Sequence, residues 1–265
     1  MEIGGFVLRG ILYEVFYHTI HLSPTASAKL YIQETATPRP LIVILPGGNY
    51  LFTTAREKRP VVDMFGEHGY HSVVLNYTTY LNDPSVTIGR LVDEVTELLA
   101  VIHTGAAEWH INSSRIFLCG FSAGGHLAAA AGNRIGKKLL RGIILCYPAM
   151  GTEYIRGLGK PPLSNITRPR FVGLFAHRPI TEINTKTPPT FLWHTARDML
   201  VSSRGSIDYA SRLLEMRVPC ELHVYQHGQH ALSVATAASA RTRRGINHHV
   251  ATWASLACSW IEAQK

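Results

Sequence analysis

The sequence predicts a single α/β domain built on a mostly parallel, twisted sheet with helices on both faces. Strand-like apolar runs alternate with segments of helical periodicity through most of the chain, a pattern typical of parallel sheets. The run Leu41-Ile42-Val43-Ile44-Leu45 is apolar throughout, as in a strand that is buried on both faces. A chain of 265 residues has the length of one such domain, so we assign residues 1–265 to it.

The remaining elements follow from their own patterns. Residues 11–16 and 29–32 are strand-like and His21-Leu22-Ser23-Pro24 divides them, so we expect an opening antiparallel pair. Apolar residues at helical spacing predict helices over 54–68, 88–108, 203–216 and 248–263. Further strands are expected at 70–75, 115–119, 142–147, 190–195 and 220–225.

Residues 151–188 differ from the rest of the chain in composition. They are rich in Gly, Pro, Arg and Thr, and their apolar periodicity is weak. A long irregular segment inside a compact domain is usually functional or mobile. We therefore expect a short, irregular cap or substrate-binding insertion at this place.

Composition and charge exclude several classes of protein. The chain is 46% apolar and 17% charged, and no apolar run approaches the length of a membrane span. Met1-Glu2-Ile3-Gly4-Gly5 lacks the basic start of a signal peptide, so we expect a cytoplasmic protein without a membrane partner. The net charge is +8, but the one basic cluster, at 241–244, has no nucleic-acid-binding motif around it, so we expect no nucleic-acid partner. Four widely spaced cysteines without metal-ligand spacing predict free thiols and no metal. We also expect no other cofactor. The sequence does not decide between a monomer and a homo-oligomer.

The stretch Gly120-Phe121-Ser122-Ala123-Gly124 carries the candidate nucleophile. Four apolar residues precede it and Leu127 with four alanines follows it, closed by Gly132-Asn133, so it lies where a strand turns into a helix. That is the setting of a nucleophile elbow, in which a tight turn exposes the serine hydroxyl above the sheet. The alternative interpretation is a chance match in a glycine-rich loop.

Two further loops supply the partners that a serine nucleophile needs. A serine hydroxyl requires a histidine base, and a carboxylate must fix the tautomer of that base. In elbow folds the order along the chain is Ser, Asp, His, each in a loop after a strand. Asp198 follows the strand 190–195, and His230 follows the strand 220–225. Parallel strands share one carboxyl edge, so we predict a catalytic triad of Ser122, Asp198 and His230.

Other residues compete for these roles. His227 lies in the same loop, but we prefer His230 because Gly228-Gln229 separates it from the strand and residues 231–233 can begin a helix. An alternative role for Asp198 is to cap the next helix. The rival aspartates lie inside a predicted helix or precede the serine: Asp208, Asp63 and Asp93.

The oxyanion of an acyl-transfer intermediate needs backbone N–H donors. One donor is the N–H of Ala123, directly after the serine. The second comes from the loop after an earlier strand, which here is Pro46-Gly47-Gly48-Asn49-Tyr50. We expect Gly48 or Asn49 to complete this oxyanion hole.

These motifs resemble the α/β-hydrolases of the esterase and lipase superfamily. Within it, the chain is similar to small bacterial carboxylesterases related to acetyl-xylan esterases, the BD-FAE or hormone-sensitive-lipase-like group. The resemblance extends from about residue 40 to the end of the chain and rests on the segments 45–50, 109–116, 119–128, 188–198 and 224–233. Pro46 replaces the histidine of the usual H-G-G-G loop, and Asn49 replaces its last glycine. The resemblance implies the same three triad residues and hydrolysis of a carboxylic ester.

Three functions are compatible with these residues. The first is hydrolysis of short-chain, acetyl-type esters, including those of acetylated carbohydrates, through an acyl-enzyme on Ser122. The second is an amidase, formamidase or exopeptidase on the same fold, because a triad alone does not separate ester from amide cleavage. The third is a binding module without catalysis. In the first case the partner is a small-molecule ester.

Overall fold

The computed structural model describes residues 2–8, 11–156 and 169–264. Among these residues, one twisted sheet of nine strands forms the centre of the fold. The strand order is β1-β2-β3-β5-β4-β6-β7-β8-β9. Neighbours from β1 to β5 along this order are antiparallel, and those from β5 to β9 are parallel. The strands are β1 Glu2–Leu8, β2 Ile11–His21, β3 Ser27–Gln33, β4 Arg39–Leu45, β5 His71–Asn76, β6 Ile111–Phe121, β7 Gly142–Cys146, β8 Thr190–Thr195 and β9 Cys220–Tyr225.

Helices cover both faces of the sheet, as the apolar strands predict. In β4, Val43 belongs to the core under α2, α3 and α5, whereas Ile44 belongs to the core under α1 and α7. This alternation buries the strand on both sides. The helices are α1 Arg59–Glu67, α2 Ile88–Gly105, α3 Ala123–Ile135, α4 Pro169–Ala176, α5 Arg204–Glu215, α6 His248–Ala251 and α7 Trp253–Ala263.

Three helix predictions need correction. The helix after the serine extends past Gly132-Asn133 to Ile135. The predicted C-terminal helix is two helices that meet at Thr252, whose hydroxyl donates to the carbonyl of His249 at 2.7 Å, a bond that competes with the helical ladder. No helix begins at residues 231–233, because the backbone of Ala231 and Ser233 is left-handed, with φ of 60° and 54°.

The antiparallel pair expected at the start of the chain is confirmed as β2 and β3, and β1 adds a strand that the sequence did not predict. The expected cap segment, residues 151–188, is described only at its two ends. These contain α4 and two single 3₁₀ turns, at Thr152–Tyr154 and Pro179–Glu182, whereas 157–168 lie outside the described residues. None of the described helices has both the length and the apolar character required to cross a bilayer.

Candidate active site

A sharp turn between β6 and α3 presents Ser122 at the carboxyl edge of the sheet. The serine has a strained backbone, with φ 53° and ψ −116°, and its N–H donates to the carbonyl of Cys146 at 3.0 Å. The turn leaves no room for a side chain at Gly124, where a Cβ would lie 2.0 Å from the carbonyl oxygen of Leu45. Only a small part of the serine, 5%, is exposed. This geometry is that of a nucleophile elbow.

The structure brings Ser122, His230 and Asp198 together in one line of hydrogen bonds. The serine Oγ lies 2.8 Å from Nε2 of His230, and Nδ1 of His230 lies 2.6 Å from Oδ2 of Asp198. A carboxylate can only accept, so Nδ1 carries the proton. Nε2 of the neutral ring is then free to accept the serine proton, which is the arrangement that general-base catalysis requires.

The Asp198 carboxylate is held by four donors. Its Oδ1 accepts the N–H groups of Leu200 and Val201, each at 2.9 Å. Its Oδ2 accepts from His230 and lies 3.3 Å from Nε2 of His194, whose N–H also faces the carbonyl of Val201 at 3.2 Å. Burial alone would raise the pKa of this carboxyl, but the hydrogen bonds from the two imidazoles and the charge of His230 hold the pKa well below its usual range. The group is therefore a carboxylate at neutral pH.

The loop after β4 lies beside the serine and carries two of the three predicted oxyanion donors. The N–H of Gly47 donates to Glu57 at 2.6 Å, so that group is occupied within the protein. Gly48 and Asn49 follow with φ of 133° and 57°. A side chain at Gly48 would lie 1.9 Å from the carbonyl oxygen of Phe52, which requires a glycine there. Ala123, the third predicted donor, is the first residue of α3.

The rival candidates lie elsewhere. His227 is exposed, and its carbonyl accepts from the side chain of Asn247 at 3.1 Å. Asp208 lies on α5 and binds Arg204 at 2.7 Å. Asp63 on α1 pairs with Arg59, and Asp93 is an exposed residue of α2.

Three residues beside the site escaped the sequence analysis. His194 is fully buried beneath Asp198, and its Nδ1 accepts from the hydroxyl of Ser206 at 2.8 Å. Tyr147 packs its ring against His230, with the ring centres 5.1 Å apart. Glu57 is a buried glutamate that accepts from the Tyr147 hydroxyl at 2.7 Å. The position of His194 near the end of β8, four residues before Asp198, could have indicated that it lies beside the site.

Comparison with known proteins places the chain in a family. The family model for the α/β hydrolase fold matches residues 42–234. The chain belongs to the α/β-hydrolase fold family. The matched segment includes the candidate nucleophile, acid and base of this α/β-hydrolase together with the glycine-rich loop after β4.

Curated relatives of this α/β-hydrolase include esterases. An acetylxylan esterase from Xylanibacter ruminicola is 25% identical over 82% of this chain and 46% of its own length. An endo-1,4-β-xylanase B from Butyrivibrio fibrisolvens is 23% identical over 77% of this chain and 34% of its own length. The chain thus spans between about a third and a half of the length of these two relatives.

Solved structures match this α/β-hydrolase over nearly the whole chain. A sugar hydrolase from Lactococcus lactis is 33% identical, with a TM-score of 0.84, and the match covers 94% of this chain and 98% of the other. A carboxylesterase from Lactobacillus plantarum is 26% identical, with a TM-score of 0.83 and coverage of 94% and 97%. An acetyl ester-xyloside bifunctional hydrolase from Caldicellulosiruptor lactoaceticus is 28% identical, with a TM-score of 0.74 and coverage of 90% and 88%. Two of these three solved proteins are named as ester hydrolases.

Proposed function

We propose that this α/β-hydrolase is a serine carboxylesterase that cleaves short-chain, acetyl-type esters through an acyl-enzyme on Ser122. One observation carries the proposal: the serine Oγ, the imidazole of His230 and the carboxylate of Asp198 are joined by hydrogen bonds of 2.8 and 2.6 Å. Three groups of these types in this order can activate a serine at neutral pH.

Acylation begins when the serine Oγ attacks the ester carbonyl carbon. The Oγ proton moves to Nε2 of His230, and the carbonyl electron pair moves onto oxygen to form the oxyanion. We assign the stabilisation of that oxyanion to the N–H of Ala123 and to the N–H of Gly48 or Asn49. When the intermediate collapses, the bond to the alkoxy group breaks and His230 returns its proton to the leaving alcohol.

Deacylation reverses the roles with water as the nucleophile. Nε2 of His230 takes a proton from water, the hydroxide oxygen bonds to the acyl carbon, and the bond to Ser122 breaks. The proton returns to the serine oxygen, and the free acid leaves. Throughout the cycle Asp198 stays ionised, because its four donors hold it in that state, and it stabilises each imidazolium that forms.

The choice of an acetyl-type substrate rests on the relatives. One is named as an acetylxylan esterase and another as an acetyl ester-xyloside bifunctional hydrolase. These names support acetylated carbohydrates as the natural class of small-molecule substrate. The proposed reaction needs no cofactor, since the proton transfers and the oxyanion are served by protein groups alone. A cytoplasmic location remains the prediction made from the sequence.

The test compares hydrolysis of p-nitrophenyl acetate by the wild type and by Ser122→Ala. We expect clear activity in the wild type and a loss of several orders of magnitude in the variant, as for other serine enzymes that lose the nucleophile. Ser114→Ala is the matched control, because this exposed serine lies near the amino end of β6, the strand that carries Ser122 at its carboxyl end. An inert wild type, or equal activity in Ser122→Ala, contradicts the proposal.

Two additional substrates separate the alternatives. Acyl chains of two to eight carbons on p-nitrophenol measure the acyl preference, and we expect the acetyl ester to give the highest kcat/KM. N-formyl and aminoacyl amides test for amidase activity. A wild type that cleaves these amides faster than the acetyl ester would replace the esterase assignment. A wild type whose Ser122 does not react with a fluorophosphonate would point to a binding module.

A further inference from the structure

Glu57 is a buried carboxylate that contacts the loop 46–50 after β4 (the oxyanion loop) directly. Through Tyr147 it is connected to the loop after β9 that carries His230 (the histidine loop). It ends the 3₁₀ turn Ala55–Glu57, which follows the oxyanion loop, and only 1% of it is exposed. Its Oε2 accepts the N–H of Gly47 at 2.6 Å, and its Oε1 accepts the hydroxyl of Tyr147 at 2.7 Å. An ionisable group this deeply buried is unusual and calls for a reason.

The Tyr147 hydroxyl extends this contact to the histidine loop. The hydroxyl accepts the N–H of Ser233 at 2.9 Å, three residues after His230. The ring of Tyr147 lies edge-on to the imidazole of His230, with the ring centres 5.1 Å apart and the ring planes at 70°. The tyrosine therefore contacts both the base and the loop that carries it.

Arg56 reinforces the same connection through its own backbone and side chain. Its carbonyl accepts the hydroxyl of Ser233 at 2.7 Å, and its guanidinium donates to the carbonyl of Ala231 at 3.1 Å. The histidine loop is thus bound to Arg56 and Glu57 by four hydrogen bonds, counting the two through Tyr147. These bonds hold the left-handed backbone of Ala231 and Ser233 that replaces the predicted helix.

The carboxylate and the serine both lie close to the same face of Gly47. A Cβ at Gly47 would lie 3.0 Å from Oε2 of Glu57 and 3.0 Å from Cβ of Ser122. The bare Gly47 is what allows the carboxylate, the oxyanion loop and the nucleophile to pack this closely. The hydrogen bond from Gly47 therefore joins the carboxylate to the oxyanion loop beside the serine.

We propose that Glu57 is a positioning residue that fixes the oxyanion loop through Gly47 and the general base through Tyr147. The proposal rests on the proposed function, in which both loops act on one intermediate. Glu57 takes no proton during the reaction. It sets the distance between the oxyanion donors and the imidazole, and its negative charge attracts the positive charge that develops on His230 during proton transfer.

The surroundings of Glu57 are consistent with an ionised carboxylate. Burial raises its pKa above the ordinary value, and the hydrogen bonds from Tyr147 and Gly47 and the charges of His230 and Arg56 offset part of that rise. Both oxygens act as acceptors, the pattern expected of the charged form. The other titratable groups that interact with it are Tyr77 and Cys146. Burial and the nearby negative charge raise the pKa of Tyr147 well above its ordinary value, so this hydroxyl keeps the proton that it donates.

Glu94 provides a matched control. It is fully buried on α2 and accepts a backbone N–H and a hydroxyl, both of Thr78, at 2.9 and 2.6 Å. Arg90 lies 3.6 Å away. Glu57→Gln and Glu94→Gln therefore remove the same charge from the same kind of setting, one beside the candidate site and one outside it.

The experiment measures the rate at which a fluorophosphonate modifies Ser122 in the whole chain. In this reaction the serine Oγ forms a bond to phosphorus, fluoride leaves and His230 takes the proton, so the rate needs both loops but no ester preference. We expect Glu57→Gln and Tyr147→Phe to react at least about tenfold more slowly per folded molecule, the effect of losing one hydrogen bond to a charged group. Glu94→Gln should react within about twofold of the wild type, whatever it does to Tm.

The split between kcat and KM for p-nitrophenyl acetate separates positioning from general destabilisation. Glu57→Gln and Tyr147→Phe should lower kcat per folded molecule and leave KM within about twofold of the wild type, because the oxyanion donors and the base act on the transition state. A variant that is only destabilised should keep the wild-type kcat per folded molecule.

Wild-type rates in both Glu57→Gln and Tyr147→Phe would overturn the proposal, as would an equal loss in Glu94→Gln. If Glu57→Gln does not fold, Tyr147→Phe decides by the same criterion. The same variants assayed on p-nitrophenyl acetate keep the two proposals apart. A wild type that reacts with the fluorophosphonate but leaves the ester intact refutes the esterase assignment, and the ratio between variants still reports on Glu57. A wild type that does not react refutes both.

Discussion

Replacing Asp198 by asparagine keeps the shape of the side chain and removes one of its two acceptor positions. The backbone N–H groups of Leu200 and Val201, both 2.9 Å from Oδ1, cannot change from donors to acceptors. The asparagine oxygen must therefore take the Oδ1 position. Its NH₂ group then faces Nδ1 of His230, which lies 2.6 Å from Oδ2 in the wild type.

That exchange reverses the tautomer of the base. Nδ1 of His230 accepts from the new amide, so Nε2 carries the proton and points it at Ser122, where it cannot accept. The matching change in serine proteases lowers kcat about 10⁴-fold, which corresponds to about 5.5 kcal/mol of transition-state stabilisation. We expect a loss of that order here, because the hydrogen-bonding pattern around the carboxylate forces the same tautomer.

The assay is kcat for p-nitrophenyl acetate at neutral pH, with Tm measured in parallel. Asp208→Asn is the control, because this rival aspartate binds Arg204 and Tyr154 away from the serine and should leave kcat within about twofold of the wild type. If Asp198→Asn is folded and keeps more than about a hundredth of the wild-type kcat, the tautomer argument fails.

Three further predictions concern stability. Burial alone would raise the pKa of Asp198, but its hydrogen bonds and the charge of His230 lower it well below the ordinary 3.8. Its contribution to the free energy of unfolding is therefore complete above about pH 5 and is lost progressively as the pH falls through 3.8 toward the lowered pKa. From pH 7 to about pH 2.5 the free energy of unfolding in urea should decrease less in Asp198→Asn than in the wild type, and an equal decrease would contradict the assigned shift. Gly124→Ala should lower stability by about 3 kcal/mol or prevent folding, because its Cβ would lie 2.0 Å from the carbonyl oxygen of Leu45. Gly89→Ala, on an exposed position of α2 with its nearest neighbour 3.7 Å away at Thr87, should instead raise the free energy of unfolding by about 0.5–1 kcal/mol, measured in urea, and raise Tm with it.

The sequence alone predicted the features that depend on the direction in which the parallel strands run. Parallel strands end at one edge of the sheet, so residues just after β6, β8 and β9 had to lie near one another. This reasoning predicted that Ser122, Asp198 and His230 would be neighbours. It also predicted the buried β4 and the helices at its two faces, because those depend on periodicity within short segments.

Features that depend on distant contacts were missed. β1 contains Gly4 and Gly5, which weaken a strand signal, and it becomes a strand by pairing opposite Val15 and Glu14. Glu57 looks like an exposed charge in a helical segment, whereas it is buried and bonded to a tyrosine 90 residues away in the chain. The missing helix after His230 has the same origin, since bonds from Arg56 and Tyr147 fix that backbone.

The wide spacing of the three site loops has a consequence for synthesis of the protein. Ser122 and His230 are 108 residues apart, and Asp198 precedes the histidine by 32. A nascent chain that has emerged only as far as β7 already contains the serine turn but has neither its base nor its acid. An isolated serine hydroxyl is a weak nucleophile, so the growing polypeptide stays inert toward esters around the ribosome until its last strand and the loop after it have been made.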